Sequence, residues 1–217
     1  MTTLRPTICC ILSAILISGC ALGFADKPQR IIRVKALADI PLRERNPRWE
    51  EEIRGLVEAS SDYFEQEFGI RLSTQSTAPW PGRERIPSTP DLLLKLKQDF
   101  PLDRKDGHYD LIIAFTAEPT SRYMRAGRPR VDRIGDCQKG LGGYVVTSVS
   151  TPFRYSGANQ ELSSDLVALI HELGHIFGAE HVKDSTSIMN EEFGYSTEFD
   201  MKNRNIVLKN KNCHFAK

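Results

Sequence analysis

Apolar positions recur along the chain with two different periods, and together they predict a sheet with helices packed on it. Ile31-Ile32-Arg33-Val34-Lys35-Ala36-Leu37 alternates loosely and is rich in branched residues, as a first strand should be. Asn46-Pro47 opens a helix whose apolar residues Trp49, Ile53, Leu56, Val57, Phe64 and Phe68 fall at helical spacing; Gly69 ends it where a C-cap belongs. Ile70 to Thr74 reads as a second strand, and the Pro-rich stretch Ala78 to Pro87 breaks regular structure. Thr89 as N-cap and Pro90 in the first turn start a short helix through Leu92-Leu93-Leu94-Lys95-Leu96. Tyr109 to Thr116 is nearly continuously apolar, the mark of a central strand buried on both faces. Glu118 to Lys139 is polar, basic and without period, which predicts a long surface loop. Leu141 to Val149 resumes strand character, with Gly142 and Gly143 marking a bulge or a close approach by another backbone. Ser163 or Ser164 then caps a helix through Leu166, Val167, Leu169, Ile170 and Leu173, with Asp165 favourably placed in its first turn. A last helix is expected over Ser196 to Leu208, and no internal repeat, low-complexity tract or second domain is evident.

With 217 residues, 40% hydrophobic and 26% charged, the chain has the apolar material for one sizeable core. Its formal net charge of +1 includes Arg5, so it is close to neutral without the first residues, and nothing favours nucleic acid as a partner. Those first residues read as an export signal, with Arg5 as the positive start and Ile8 to Ile17 as an apolar stretch too short for a permanent span. Ile17-Ser18-Gly19-Cys20 resembles the lipobox of bacterial lipoproteins, in which an aliphatic residue, a small residue and Gly or Ala precede the cysteine that is lipidated. The resemblance implies a signal peptide over residues 1–19, a membrane anchor through lipid on Cys20, a tether over 20–29 and one folded domain over 30–217. Ala21 after the cysteine implies the outer membrane; a plain cleaved signal with an incidental cysteine is the alternative. Of five cysteines, Cys9 and Cys10 leave with the signal and Cys20 takes lipid. Cys137 and Cys213 remain for an oxidising compartment, where a disulfide is expected, two free thiols being the other reading.

The chemistry lies in the helix after Ser163. His171-Glu172-Leu173-Gly174-His175 sets two imidazoles four positions apart, about 40° round the helix axis and about one turn along it. Gly178 can take a positive backbone angle and fold the chain back, bringing His181 round as a third ligand. Three neutral nitrogens leave the fourth corner of a zinc tetrahedron to water, and Glu172 is placed to act as general base on that water. Stray histidines in a core helix are the bland alternative, but three of the chain's five histidines fall at the required positions. His108 and His214 lie outside the motif and are expected at the surface.

This extended motif, followed by Ser187-Ile188-Met189-Asn190, resembles the metzincin clan of zinc metalloproteases, in which Met189 would be the methionine of the turn beneath the metal. The resemblance implies an α+β fold, α/β-like in its upper half: a twisted mixed sheet, an active-site helix, a Met-turn and a C-terminal helix. It implies one catalytic Zn2+, a polypeptide substrate and a monomer. The short interval to Met189 is matrixin-like; a cysteine before the edge strand and another near the C-terminus, Cys137 and Cys213, resembles the reprolysin arrangement, so both forms stay open. Gly142, Gly143, Tyr144 and Val145 would form the edge strand to which an extended peptide adds, an internal strand twisted by glycine being the alternative. Glu191 to Phe199, including Glu192, Phe193 and Tyr195, would wall the adjoining side-chain pocket. No folded propeptide is expected between Cys20 and the first strand, hence no need for proteolytic activation. Two rival functions remain: an envelope lipoprotein with structural or adhesive zinc, and a zinc-dependent hydrolase of a non-peptide amide.

Overall fold

Alternation decides which face of each strand meets which layer. In a computed structural model, which describes residues 28–81, 89–102, 108–117, 130–157, 161–191 and 196–216, β1 (Arg30–Ala38) turns Ile32, Val34, Ala36 and Ala38 to one side and Leu37 to the other. β3 (Leu111–Thr116) is buried throughout: Leu111, Ile113 and Phe115 share the first face, Ile112 and Ala114 the second. Its continuous apolar run is thus a strand with a core on each side. β2 (Ile70–Pro79) and β4 (Tyr144–Ser148) complete a sheet of order β2-β1-β3-β4, and all three pairings are parallel. The antiparallel component of the expected mixed sheet is confined, among the described residues, to isolated bridges, Val131 with Val145 on the outer side of β4 and Asp136 with Gly140 in a local turn.

Two helices fill the first face. α2 (Trp49–Phe68) lays Ile53, Leu56, Val57, Phe64 and Phe68 into the core and ends at Gly69, whose φ of 69° is the left-handed conformation its position requires. α4 (Ser164–Ile176) adds Leu166, Leu169, Ile170, Leu173 and Ile176, all fully buried. Each such side chain contributes about 1.5–3 kcal/mol, so apolar burial dictates where the histidine-bearing helix lies. The second face is covered by Trp80 and by Leu93 and Leu96 of α3 (Thr89–Asp99).

Several elements differ from expectation. α1 (Ile40–Arg45) is a short helix that periodicity is too brief to reveal; Asp39 caps it by accepting from Leu42 N at 2.9 Å, with Pro41 in its first turn. β2 continues to Pro79 past a register shift at Val34/Lys35, where Gln75 is the extra residue. The C-terminal helix, α5 (Met201–Asn210), starts later than Ser196 because Asp200 is its N-cap, accepting from Asn203 N at 3.0 Å. Part of the supposed surface loop is interior: Arg130 and Val131 are buried beside β4. Cys137 and Cys213 form a disulfide with Cα atoms 5.1 Å apart, tying this stretch to the end of α5. Cys20, the signal segment, most of the tether and residues 118–129 lie outside the described residues.

Candidate metal centre and active site

α4 begins with a cap and an anchor. Ser163 accepts from Leu166 N, and the buried carboxylate of Asp165 accepts from Ser150 N at 2.9 Å, Ser150 Oγ at 2.7 Å and Thr151 N at 3.1 Å, fastening the helix start to the chain leaving β4. Beyond His175 the helix ends at Ile176 and the chain turns at Gly178, where φ is 97° and a Cβ would stand 2.4 Å from Gly135 O. Only glycine fits there without strain. The turn brings Ala179 O to 2.7 Å from His175 Nδ1 and sends the chain back towards α4.

Two further segments hold the returning strand. Asn203, fully buried on α5, accepts from Glu180 N at 2.9 Å and donates to Glu180 O at 2.9 Å, gripping both peptide groups of the residue before His181. After His181, Val182 N donates to Met189 O at 3.0 Å and Glu191 N to Val182 O at 3.2 Å, closing a loop. Within it Ile188 O lies 2.7 Å from His171 Nδ1. Gly174 makes room for this loop, since a Cβ there would meet Met189 Sδ at 2.8 Å. Met189 is fully buried against the active-site helix.

The outcome is a triangle of nitrogens. The Nε2 atoms lie 3.2 Å apart for His171 and His175, and 3.1 Å for His181 with either of the other two. Carbonyl oxygens at Nδ1 of His171 and His175 require hydrogen there, so each Nε2 presents a lone pair. Burial pushes His171 down to about 3 and His175 down to about 4, and lowers His181 as well, so all three are neutral at pH 7. Three neutral imidazoles converging at this separation fit the donor set of an open zinc site. Among the described residues no fourth histidine, cysteine or carboxylate joins the group.

Glu172 follows the first histidine and is 3% exposed. Burial raises its pKa to about 7, with the Arg130 guanidinium pulling the other way. Arg130 N donates to Glu172 Oε2 at 3.0 Å, and Arg130 Nε stands 3.7 Å from Oε1. A carboxyl poised near neutrality suits a group that must take up and release a proton.

The expected substrate edge needs correction. Gly142 N donates to Ile176 O, Gly143 N and Tyr144 N to Asp132 Oδ1, and Val146 N to Arg130 O, while Tyr144 O accepts from Asp132 N. The outward N–H groups of Gly143, Tyr144 and Val146 and the carbonyl of Tyr144 are therefore engaged within the chain and cannot pair with a peptide. A Cβ on Gly142 would lie 2.7 Å from Ile176 Cδ1, so that glycine serves close packing of the chain on itself. Tyr144 points its hydroxyl to Phe100 O at 3.0 Å on the far face of the sheet. Of the supposed pocket wall, Glu191 is exposed and Phe199 packs on the core, whereas Glu192, Phe193 and Tyr195 lie outside the described residues. His108 and His214 are exposed and remote from the motif in sequence.

A reprolysin-type profile, Metallo-peptidase family M12, matches residues 29–214. The chain belongs to this family and is a zinc metallopeptidase. Comparison with curated proteins returns no match. Among solved structures, archaemetzincin from Methanopyrus kandleri is similar, with 20% identity over 83% of this chain and 95% of that one and a TM-score of 0.53. The two share a zincin-like fold.

Proposed function

We propose that this chain is an endopeptidase in which His171, His175 and His181 hold one zinc ion, Glu172 is the general base and Met189 supports the ligands from below. The observation that carries the reading is the triangle of Nε2 atoms at 3.1–3.2 Å, with Nδ1 of both helical histidines already committed to carbonyls. Bound zinc supplies Lewis acidity, making water ionisable near neutral pH and polarising a carbonyl. Glu172 takes the proton of the water that attacks the scissile peptide carbon, then returns it to the leaving nitrogen as the carbon–nitrogen bond breaks. A structural zinc would have no need of this base and would fill its fourth corner with protein. Metal analysis combined with cleavage profiling on a peptide library tests the reading: the purified protein should hold zinc and cut internal bonds, and a chelator should stop the cutting. Zinc-loaded protein that cuts no peptide would count against it.

We also propose export with lipid attachment at Cys20, supported by Ile17-Ser18-Gly19-Cys20. Cys20→Ala should move the protein from the membrane to the soluble fraction. An unchanged distribution would remove the anchor.

A further inference from the structure

A glutamate used as a base has three side-chain torsions that leave its oxygens free to swing. That freedom is limited here by one residue, which lies in a basic stretch without periodicity. Arg130 is 4% exposed, and its backbone and side chain approach Glu172 together. The main-chain N–H donates to Oε2 at 3.0 Å while Nε faces Oε1 at 3.7 Å. Its own carbonyl accepts from Val146 N at 2.9 Å, so the backbone that holds Glu172 is itself held by the sheet. Among the described residues Glu172 is the one carboxylate paired with this guanidinium, and Nη1 is buried without a hydrogen-bond partner. A surface arginine satisfies its donors in water. One that forgoes water to stand beside a single carboxylate is kept for that carboxylate.

We propose that Arg130 is the positioning residue for Glu172, fixing the carboxylate in the orientation from which it accepts the proton of the attacking water. The role rests on the peptidase reading above. Arg130 does not react. The proton passes from water to the carboxylate and on to the leaving amine, while the guanidinium and the main-chain N–H remain in place and keep the oxygens from rotating as charge moves through them.

The main-chain contact survives substitution, so side-chain variants isolate the guanidinium. Arg130→Met keeps the length of the stem and should retain zinc and secondary structure, yet lower kcat about 10- to 100-fold with KM changed less than about twofold, the signature of a misplaced base. Arg130→Lys should recover part of that loss. A readout independent of turnover is the melting temperature of Arg130→Met, Glu172→Gln and the double variant, where the double should fall by less than the sum of the singles because each single strands a buried partner. Additive shifts, an unchanged kcat in Arg130→Met, or a loss lying wholly in KM would each overturn the proposal. A parent protein that cuts no peptide would overturn the peptidase reading, and the role in reaction with it, even if the shifts are non-additive.

Discussion

Glu172→Gln is expected to lower kcat by about two to four orders of magnitude while zinc content stays at the parental level. Glutamine preserves the volume of a side chain that is 3% exposed, and its amide oxygen can still accept from Arg130 N, so no cavity opens. What disappears is a group able to take a proton. The three converging nitrogens that could hold the metal belong to His171, His175 and His181, which the substitution leaves untouched. Stability has its own sign. In metal-free protein, burial raises Glu172 from 4.5 to about 7, so its neutral form favours the fold. That contribution is present below pH 4.5 and is lost as pH rises through 7. Glutamine does not ionise, so melting curves of the metal-free variant should lack this loss between pH 5 and 8. Turnover is measured on a peptide selected from the library, with metal analysis on the same sample. A variant that cuts as fast as its parent would eliminate Glu172 as the base.

His175→Ala should act on the metal itself. His175 is fully buried, and its Nε2 lies 3.2 Å and 3.1 Å from the other two nitrogens, so its loss leaves two donors where a stable site needs three. Removing partners that merely orient a ligand weakens metal binding about 10- to 100-fold. Removing a ligand should exceed that, and competition against a chelating dye measures it. The truncation also leaves a cavity beside Ala179, which should cost on the order of 2–4 kcal/mol by analogy with large-to-small core changes. Zinc retained at parental affinity would mean that the three rings do not share one ion.

The parts of the molecule that periodicity foretells are those whose position apolar burial decides. α2 follows its apolar stripe to Gly69, and β3 is as buried as its unbroken run requires. The histidine motif is legible because three histidines and one turn glycine must occupy set places along a single local path. Arg130, Asp132 and Asn203 are not. They act on residues distant in sequence, at Glu172, Gly143 and Glu180, and a polar side chain carries no record of which remote backbone it will meet. Asp200 offered a usable signal, an N-cap residue placed ahead of a helical stretch. The glycines before β4 predict a close approach by another backbone. Close approach is real at Gly142, but the neighbours are Ile176, Arg133 and Asp132 of the same chain.

The bond between Cys137 and Cys213 also bears on how the protein is prepared. Cys137 follows Arg130 by seven positions, and in this stretch Arg130 N donates to Glu172 Oε2 at 3.0 Å and Gly135 N to His175 O at 2.9 Å, so the stapled segment contacts both Glu172 and the second histidine. Material made in a cytoplasm that keeps thiols reduced would lack the covalent tie between this segment and the end of α5. Oxidation state therefore belongs among the defining properties of any sample, alongside metal content, before a weak activity is taken as a trait of the enzyme.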